Sequence, residues 1–272
     1  MRRLLSIRAL CVIVIAAAAP MYVSPASASP GELDRKDEAL AHMKDAGASD
    51  ARILEELGLR KVSTDEPSPR LLSDEWDAPV SIPEIYYDHG QGTYYASTSF
   101  RWVNNKWSGD SPLLPGAVGG PDLIAIRVSR AIYYVRGTAT TCPSSVPSGF
   151  TPAFGNCATH TTAYQTNEFG TAIRFQDRVG NAVKYNSTNC SNGQPYCDEY
   201  MAQYNAFSGT LVFEFGFFSS NSCHQFFSHL GHTWADSSIN SVGVGPYSLS
   251  VGWNNSDKKW LGASPSSGKF WC

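Results

Sequence analysis

Three histidines lie within nine residues in the run Cys223-His224-Gln225-Phe226-Phe227-Ser228-His229-Leu230-Gly231-His232-Thr233-Trp234. Neutral imidazoles serve as metal ligands and as general bases. The spacing H-x4-H-x2-H differs from the H-E-x-x-H of zinc proteases, and no adjacent glutamate could act as the base. On a strand, His224 and His232 share one face and His229 points to the other. The run therefore predicts turn and core histidines, with no metal site and no cofactor. Nucleophilic catalysis would need a serine with a base (His160, His224, His229 or His232) and an orienting acid (Asp177, Asp198 or Asp236). No Gly-x-Ser-x-Gly elbow singles out a serine. Glu214, between Phe213 and Phe215, would have a raised pKa if buried. Strand alternation instead predicts that it faces solvent. No phosphate-cradling loop or dinucleotide fingerprint occurs.

Tryptophan supplies a different chemistry. Ser99-Phe100-Arg101-Trp102-Val103-Asn104-Asn105-Lys106-Trp107 is echoed by Ser250-Val251-Gly252-Trp253-Asn254-Asn255 and then by Lys259-Trp260. Asn-Asn between two tryptophan-bearing strands suits a hairpin turn, because Asn tolerates positive φ. Two similar hairpins with core tryptophans would give this pattern. So would a duplicated ligand-binding hairpin, since indole faces stack on sugar rings and the indole N–H can donate to a hydroxyl. On the second reading Trp102, Trp107, Trp253 and Trp260 are the ligand-binding residues.

The rest of the chain must position these groups. A basic start (Arg2, Arg3, Arg8), an apolar run from Ala9 to Ala19 and Ala26-Ser27-Ala28 form the order of a secretory signal peptide over residues 1–28. The apolar run is shorter than the roughly 20 residues that a span needs, so no transmembrane segment is expected. Cleavage would remove three arginines and no acid, leaving 18 of the 21 basic residues against 24 acidic ones. An acidic balance argues against nucleic acid as a partner. Six cysteines would remain, and in an oxidising compartment they predict three disulfides. Short loops close most easily, which favours Cys142–Cys157, Cys190–Cys197 and Cys223–Cys272.

Composition divides what remains. Residues 29–75 lack Phe, Trp and Tyr and carry 12 acidic and 7 basic residues. They predict a charged helical segment, a possible pro-segment or arm. Leu33, Leu40, Met43 and Ala46 mark one helix, stopped at Gly47. Ile53, Leu54 and Leu57 mark a second, capped by Ser49 or Asp50 and ended by Gly58. Two short helices bury little by themselves, so they either dock on the second region or form a pro-segment or flexible arm, and loose attachment is the expectation. Residues 76–272 predict a disulfide-containing β domain with strands at Thr93–Val103, Leu123–Arg136, Thr171–Val179, Thr210–Phe218, Ile239–Val244 and Tyr247–Trp253. Loops are expected at Thr138–Thr166 and Tyr185–Gln194, and a helical turn at Asp198–Tyr204. The expected fold is mainly β: an antiparallel β-sandwich or small barrel stapled by disulfides, preceded by a short helical N-terminal segment.

The Ala-rich leader and the tail segments His232-Thr233-Trp234, Ile239-Asn240-Ser241-Val242, Pro246-Tyr247-Ser248 and Val251-Gly252-Trp253 resemble secreted proteins of high-GC Gram-positive bacteria. That group carries no assigned activity, so the resemblance implies a location alone. The expected function is a secreted, extracellular, non-catalytic module for a surface polysaccharide or cell-wall polymer. The alternatives are a secreted hydrolase using His and carboxylate groups from the loops, and a structural or antagonistic factor.

Overall fold

The computed structural model describes residues 30–62, 77–103, 115–188, 190, 194–218, 223–255, 257–267 and 269–270. The leader, Trp76, Asn104–Asn105, Trp107 and Cys272 lie outside them, as does the side chain of Leu33. The chain opens with α1 (Pro30–Asp45) and α2 (Asp50–Leu57), followed by β1 (Leu59–Lys61), β2 (Glu84–Asp88), β3 (Thr93–Arg101), β4 (Gly116–Ala117) and β5 (Asp122–Val128). It continues through β6 (Tyr133–Cys142), β7 (Ala158–His160), β8 (Ala163–Asn167), β9 (Gly170–Phe175), β10 (Arg178–Ser187) and β11 (Cys197–Tyr204). It ends with β12 (Ser208–Gly216), β13 (Phe226–Thr233), β14 (Ile239–Val244), β15 (Leu249–Trp253) and β16 (Lys259–Ala263). No described helix is long and apolar enough to cross a membrane.

The fold is mainly β, and every strand pair is antiparallel. A six-stranded sheet runs β1-β2-β3-β12-β6-β7, and a five-stranded sheet runs β16-β13-β5-β9-β8. The main core draws Ala96, Ala139, Leu211, Phe213 and Phe215 from the first sheet. It draws Ile124, Ile126, Ile173, Phe175, Phe226 and Leu230 from the second. Period-two alternation produces this: Leu211, Phe213 and Phe215 all point from β12 into that core. A three-stranded sheet, β11-β10-β4, and the two-stranded β14-β15 lie beside these.

The helices form where the capping residues place them. Ser49 caps α2 by accepting from the Arg52 amide, and Gly58 ends it at φ +70°. They are not loosely attached. Leu40, Ala41, Ile53 and Leu59 pack with Tyr86, Tyr95 and Val212 in a second core on the outer face of the six-stranded sheet. β1 then extends that sheet, pairing Leu59 with Asp88. This covering changes the expected environment of Glu214. It does face away from the main core, but α1 covers that face and leaves Glu214 1% exposed. Arg136 donates to it at 2.9 Å.

Other expectations shift as well. Asp198–Tyr204 is strand β11 rather than a helical turn, and the expected loops contribute β6, β7, β8 and the end of β10. Asn254 and Asn255 do not turn a hairpin. β15 pairs with β14 and β16 pairs with β13, so the two strands part after Trp253. The Asn side chains instead fasten the preceding turn, with Asn254 Oδ1 accepting from the Ser238 amide at 2.6 Å. Cys142–Cys157 and Cys190–Cys197 are bonded as expected, and Cys223 is also disulfide-bonded.

Candidate ligand-binding face

The histidine run forms β13 and divides as a strand should. His232 points toward the main core side and His229 toward the opposite face. His224 lies before the strand with its ring 4.5 Å from that of Phe217. Among the described residues, these three histidines form no shared ligand set.

His232 has other partners. Its Nδ1 lies 2.8 Å from Asp122 Oδ2 and 3.6 Å from Asp177 Oδ2. Asp122 Oδ1 accepts from the Thr233 amide at 2.8 Å. Tyr204 donates to Asp177 at 2.5 Å. Asp122 sits at the start of β5, His232 near the end of β13, Asp177 between β9 and β10, and Tyr204 at the end of β11. The centre therefore joins four separate segments. Burial raises the pKa of Asp122 against the pull of His232. It raises that of Asp177 well above the usual range, helped by the Asp122 charge. Such a group can share protons, and its donor atoms lie close enough to hold a cation. It offers a substrate no approach, because Asp122, Asp177 and His232 are each at most 2% exposed. Indoles surround it: the rings of Trp102, Trp234 and Trp260 lie 5.0, 5.8 and 5.5 Å from His232.

The tryptophans accordingly take interior or partly covered positions. Trp102 is 4% exposed. Trp260 packs against the main core, 6.1 Å from Trp102. Trp253 lies elsewhere, against Leu123 and the β14–β15 strands, with Lys259 Nζ 4.9 Å from its ring centre. Trp102, Trp253 and Trp260 do not line one exposed face, and Trp107 lies outside the described residues.

An exposed aromatic face exists on β10–β11. Val183 pairs with Tyr200, and Tyr185 follows two residues on, where the register shifts before Ser187. Tyr185 and Tyr200 are 64% and 61% exposed, and Tyr196, at the stapled end, is 62% exposed. The Cys190–Cys197 disulfide closes that end. The reverse face is firmly backed by the loop that Cys142–Cys157 closes. Gln203 accepts from the Phe154 amide at 2.9 Å and donates to the Ser144 carbonyl at 2.9 Å. Thr151 extends the sheet by exchanging backbone bonds with Val183 at 2.7 and 2.9 Å. One side of the ribbon is thus packed and hydrogen-bonded, and the other offers tyrosine rings to solvent.

Reading the segment as helix and loop hid this face. The available signal was alternation from Tyr196 to Ala202, with Tyr196, Asp198, Tyr200 and Ala202 at even spacing. No protein-family model matches the chain, nor does any curated protein or solved structure.

Proposed function

We propose that the protein is a secreted, non-catalytic module that binds an extracellular polymer, a glycan or other cell-surface component, through the tyrosine face of β10–β11. The supporting observation is the exposure of Tyr185, Tyr196 and Tyr200 on a ribbon that Cys190–Cys197 closes at one end and that the loop closed by Cys142–Cys157 backs. Tyrosine combines a flat apolar ring with a hydroxyl, which suits the alternating apolar faces and hydroxyl edges of sugars. A backed strand pair also costs little ordering entropy on binding. The leader and the disulfides support an extracellular location. A core shared by the two large sheets supports a sandwich body.

The hydrolase reading has the Asp122–His232 contact in its favour, but that pair is enclosed. One experiment separates the two. The purified protein is mixed with insoluble polysaccharides and cell-wall material, and depletion and released sugar are measured in the same tubes. The binding module predicts depletion without sugar release, abolished by Tyr185→Ala with Tyr200→Ala. Sugar release would favour the hydrolase. No depletion on any polymer would overturn the proposal.

A further inference from the structure

Arg127 is a partly buried cation with no acid beside it. Its guanidinium lies 3.7 Å from the Phe227 ring centre, and Nη1 donates to the Pro246 carbonyl at 3.0 Å. Nε is buried and, among the described residues, has no hydrogen-bond partner. Among the described residues no carboxylate pairs with it, and burial alone pulls its pKa below the usual value.

A second unpartnered group sits next to it. Phe227 pairs with Arg127 and His229 with Ala125, so Arg127 and His229 are diagonal neighbours on one face of the five-stranded sheet. His229 is 9% exposed, and its Nε2 is also buried without a hydrogen-bond partner among the described residues. Burial and the Arg127 charge push its pKa down to about 3, so the ring stays neutral. The residues around this pair are small. Gly170 lies opposite Arg127, Ala263 lies opposite His229, and Ala172 lies opposite Ala125. The β14–β15 strands pack over this face through Val242, Val244, Leu249 and Val251. Asn167 and Gln165 hold Val244 at 2.9 and 3.2 Å, and Pro246 follows in the turn.

We propose that Arg127 and His229 form a binding site for a carboxylate, roofed by β14–β15. Pro246 occupies Nη1, which leaves the Nε and Nη2 edge, and that edge matches the two oxygens of a carboxylate. The neutral imidazole donates its Nε2 proton to one of the same oxygens. One positive charge meets one negative charge. A phosphate or sulfate would bring more charge and more lone pairs than these donors and an alanine floor satisfy. The site is separate from the tyrosine face and stands or falls independently of it.

The test is a titration of the isotope-labelled protein with sodium acetate at constant ionic strength, with sodium chloride, phosphate and sulfate in parallel. The readouts are the Arg127 Nε–H and His229 ring resonances. Acetate is expected to shift both saturably. Arg127→Lys keeps the charge but loses the fork, and it should weaken acetate about tenfold, the equivalent of one charge-assisted hydrogen bond. His229→Phe should weaken it by about the same factor. The absence of a saturable acetate shift in the unsubstituted protein overturns the site. An equal response to chloride does so too, as does saturation by phosphate or sulfate in place of acetate. The unsubstituted protein decides the question even if a variant fails to fold.

Discussion

Asp37 Oδ2 accepts a hydrogen bond from Thr138 Oγ1 at 2.5 Å, tying α1 to β6 across 101 residues of chain. Asp45 does the same one end further along, accepting from Thr140 and from Thr210 Oγ1. The helix therefore docks through two acids, Asp37 buried and Asp45 partly so, as well as through Leu40 and Ala41. Burial raises the pKa of Asp37 despite the Thr138 bond and the Arg136 charge. It raises Asp45 despite Thr140, Thr210 and His42, and raises Glu214 beneath the helix despite Arg136.

A carboxyl whose folded pKa lies above its unfolded value binds more protons when folded. Its contribution is fully present below the unfolded value of about 4 and is lost as pH rises through the folded value. Docking should therefore tighten on moving from neutral pH to about pH 5. Glu84 has the opposite sign. Lys44 and Lys61 overcome its burial and lower its pKa, so its contribution is lost only below its usual range. Lys36 also pairs with Asp88 at 2.6 Å and Lys61 with Asp50 at 3.3 Å. The check is amide exchange in α1, corrected for intrinsic rates, at both pH values. Protection that falls on acidification would contradict the assignment, and Asp37→Asn should flatten the dependence.

Gly180 is where the ribbon meets its backing loop. A Cβ there would lie 2.7 Å from that of Ala153 and 3.0 Å from the Phe154 ring. Gly180→Ala should cost about 1–3 kcal/mol through overpacking. Denaturant unfolding measures the loss, and polymer depletion should weaken with it as the tyrosine face loses its support.

Much of the fold was legible in local pattern. β14 matches its expected bounds, and Ser49 and Gly58 cap α2 as their types require. β11 was ambiguous despite its alternation, because Tyr200 and Tyr204 are spaced four apart. That spacing falls on one side of a strand and also near one turn of a helix. The Asp122–His232 contact joins residues 110 positions apart, which no local period encodes. Glu214 shows a further limit: alternation gave the correct face, but only the docking of α1 determines that this face is covered.

Trp102 and Tyr200 should separate stability from binding. Trp102 is 4% exposed and packs edge-on against Tyr204 and His232. Trp102→Ala should cost about 3–5 kcal/mol, so any loss of binding in that variant would follow from unfolding. Tyr200→Ala removes a ring that is 61% exposed. It should change stability by no more than about 0.5 kcal/mol while weakening polymer capture. Thermal unfolding and depletion, measured on the same preparations, test the contrast. A stable Trp102→Ala protein that fails to bind would restore the indole to the binding face.

The two buried aspartates should respond unequally to amide replacement. Burial and the Asp122 charge raise the pKa of Asp177, and its closest contact is the Tyr204 hydroxyl. Asp177→Asn replaces a carboxyl whose charge burial disfavours with a neutral amide of the same shape, and Tyr204 can still donate to the amide oxygen. Asp122 accepts from the Thr233 amide and faces His232, so its carboxylate anchors the centre. Asp122→Ala leaves both groups buried without their acceptor and should cost about 3–5 kcal/mol, the range for breaking a buried pair. Asp177→Asn should cost clearly less. Urea unfolding of both variants at neutral pH orders them. Equal losses would mean that Asp177 is ionised in the folded protein and that His232 answers to both acids.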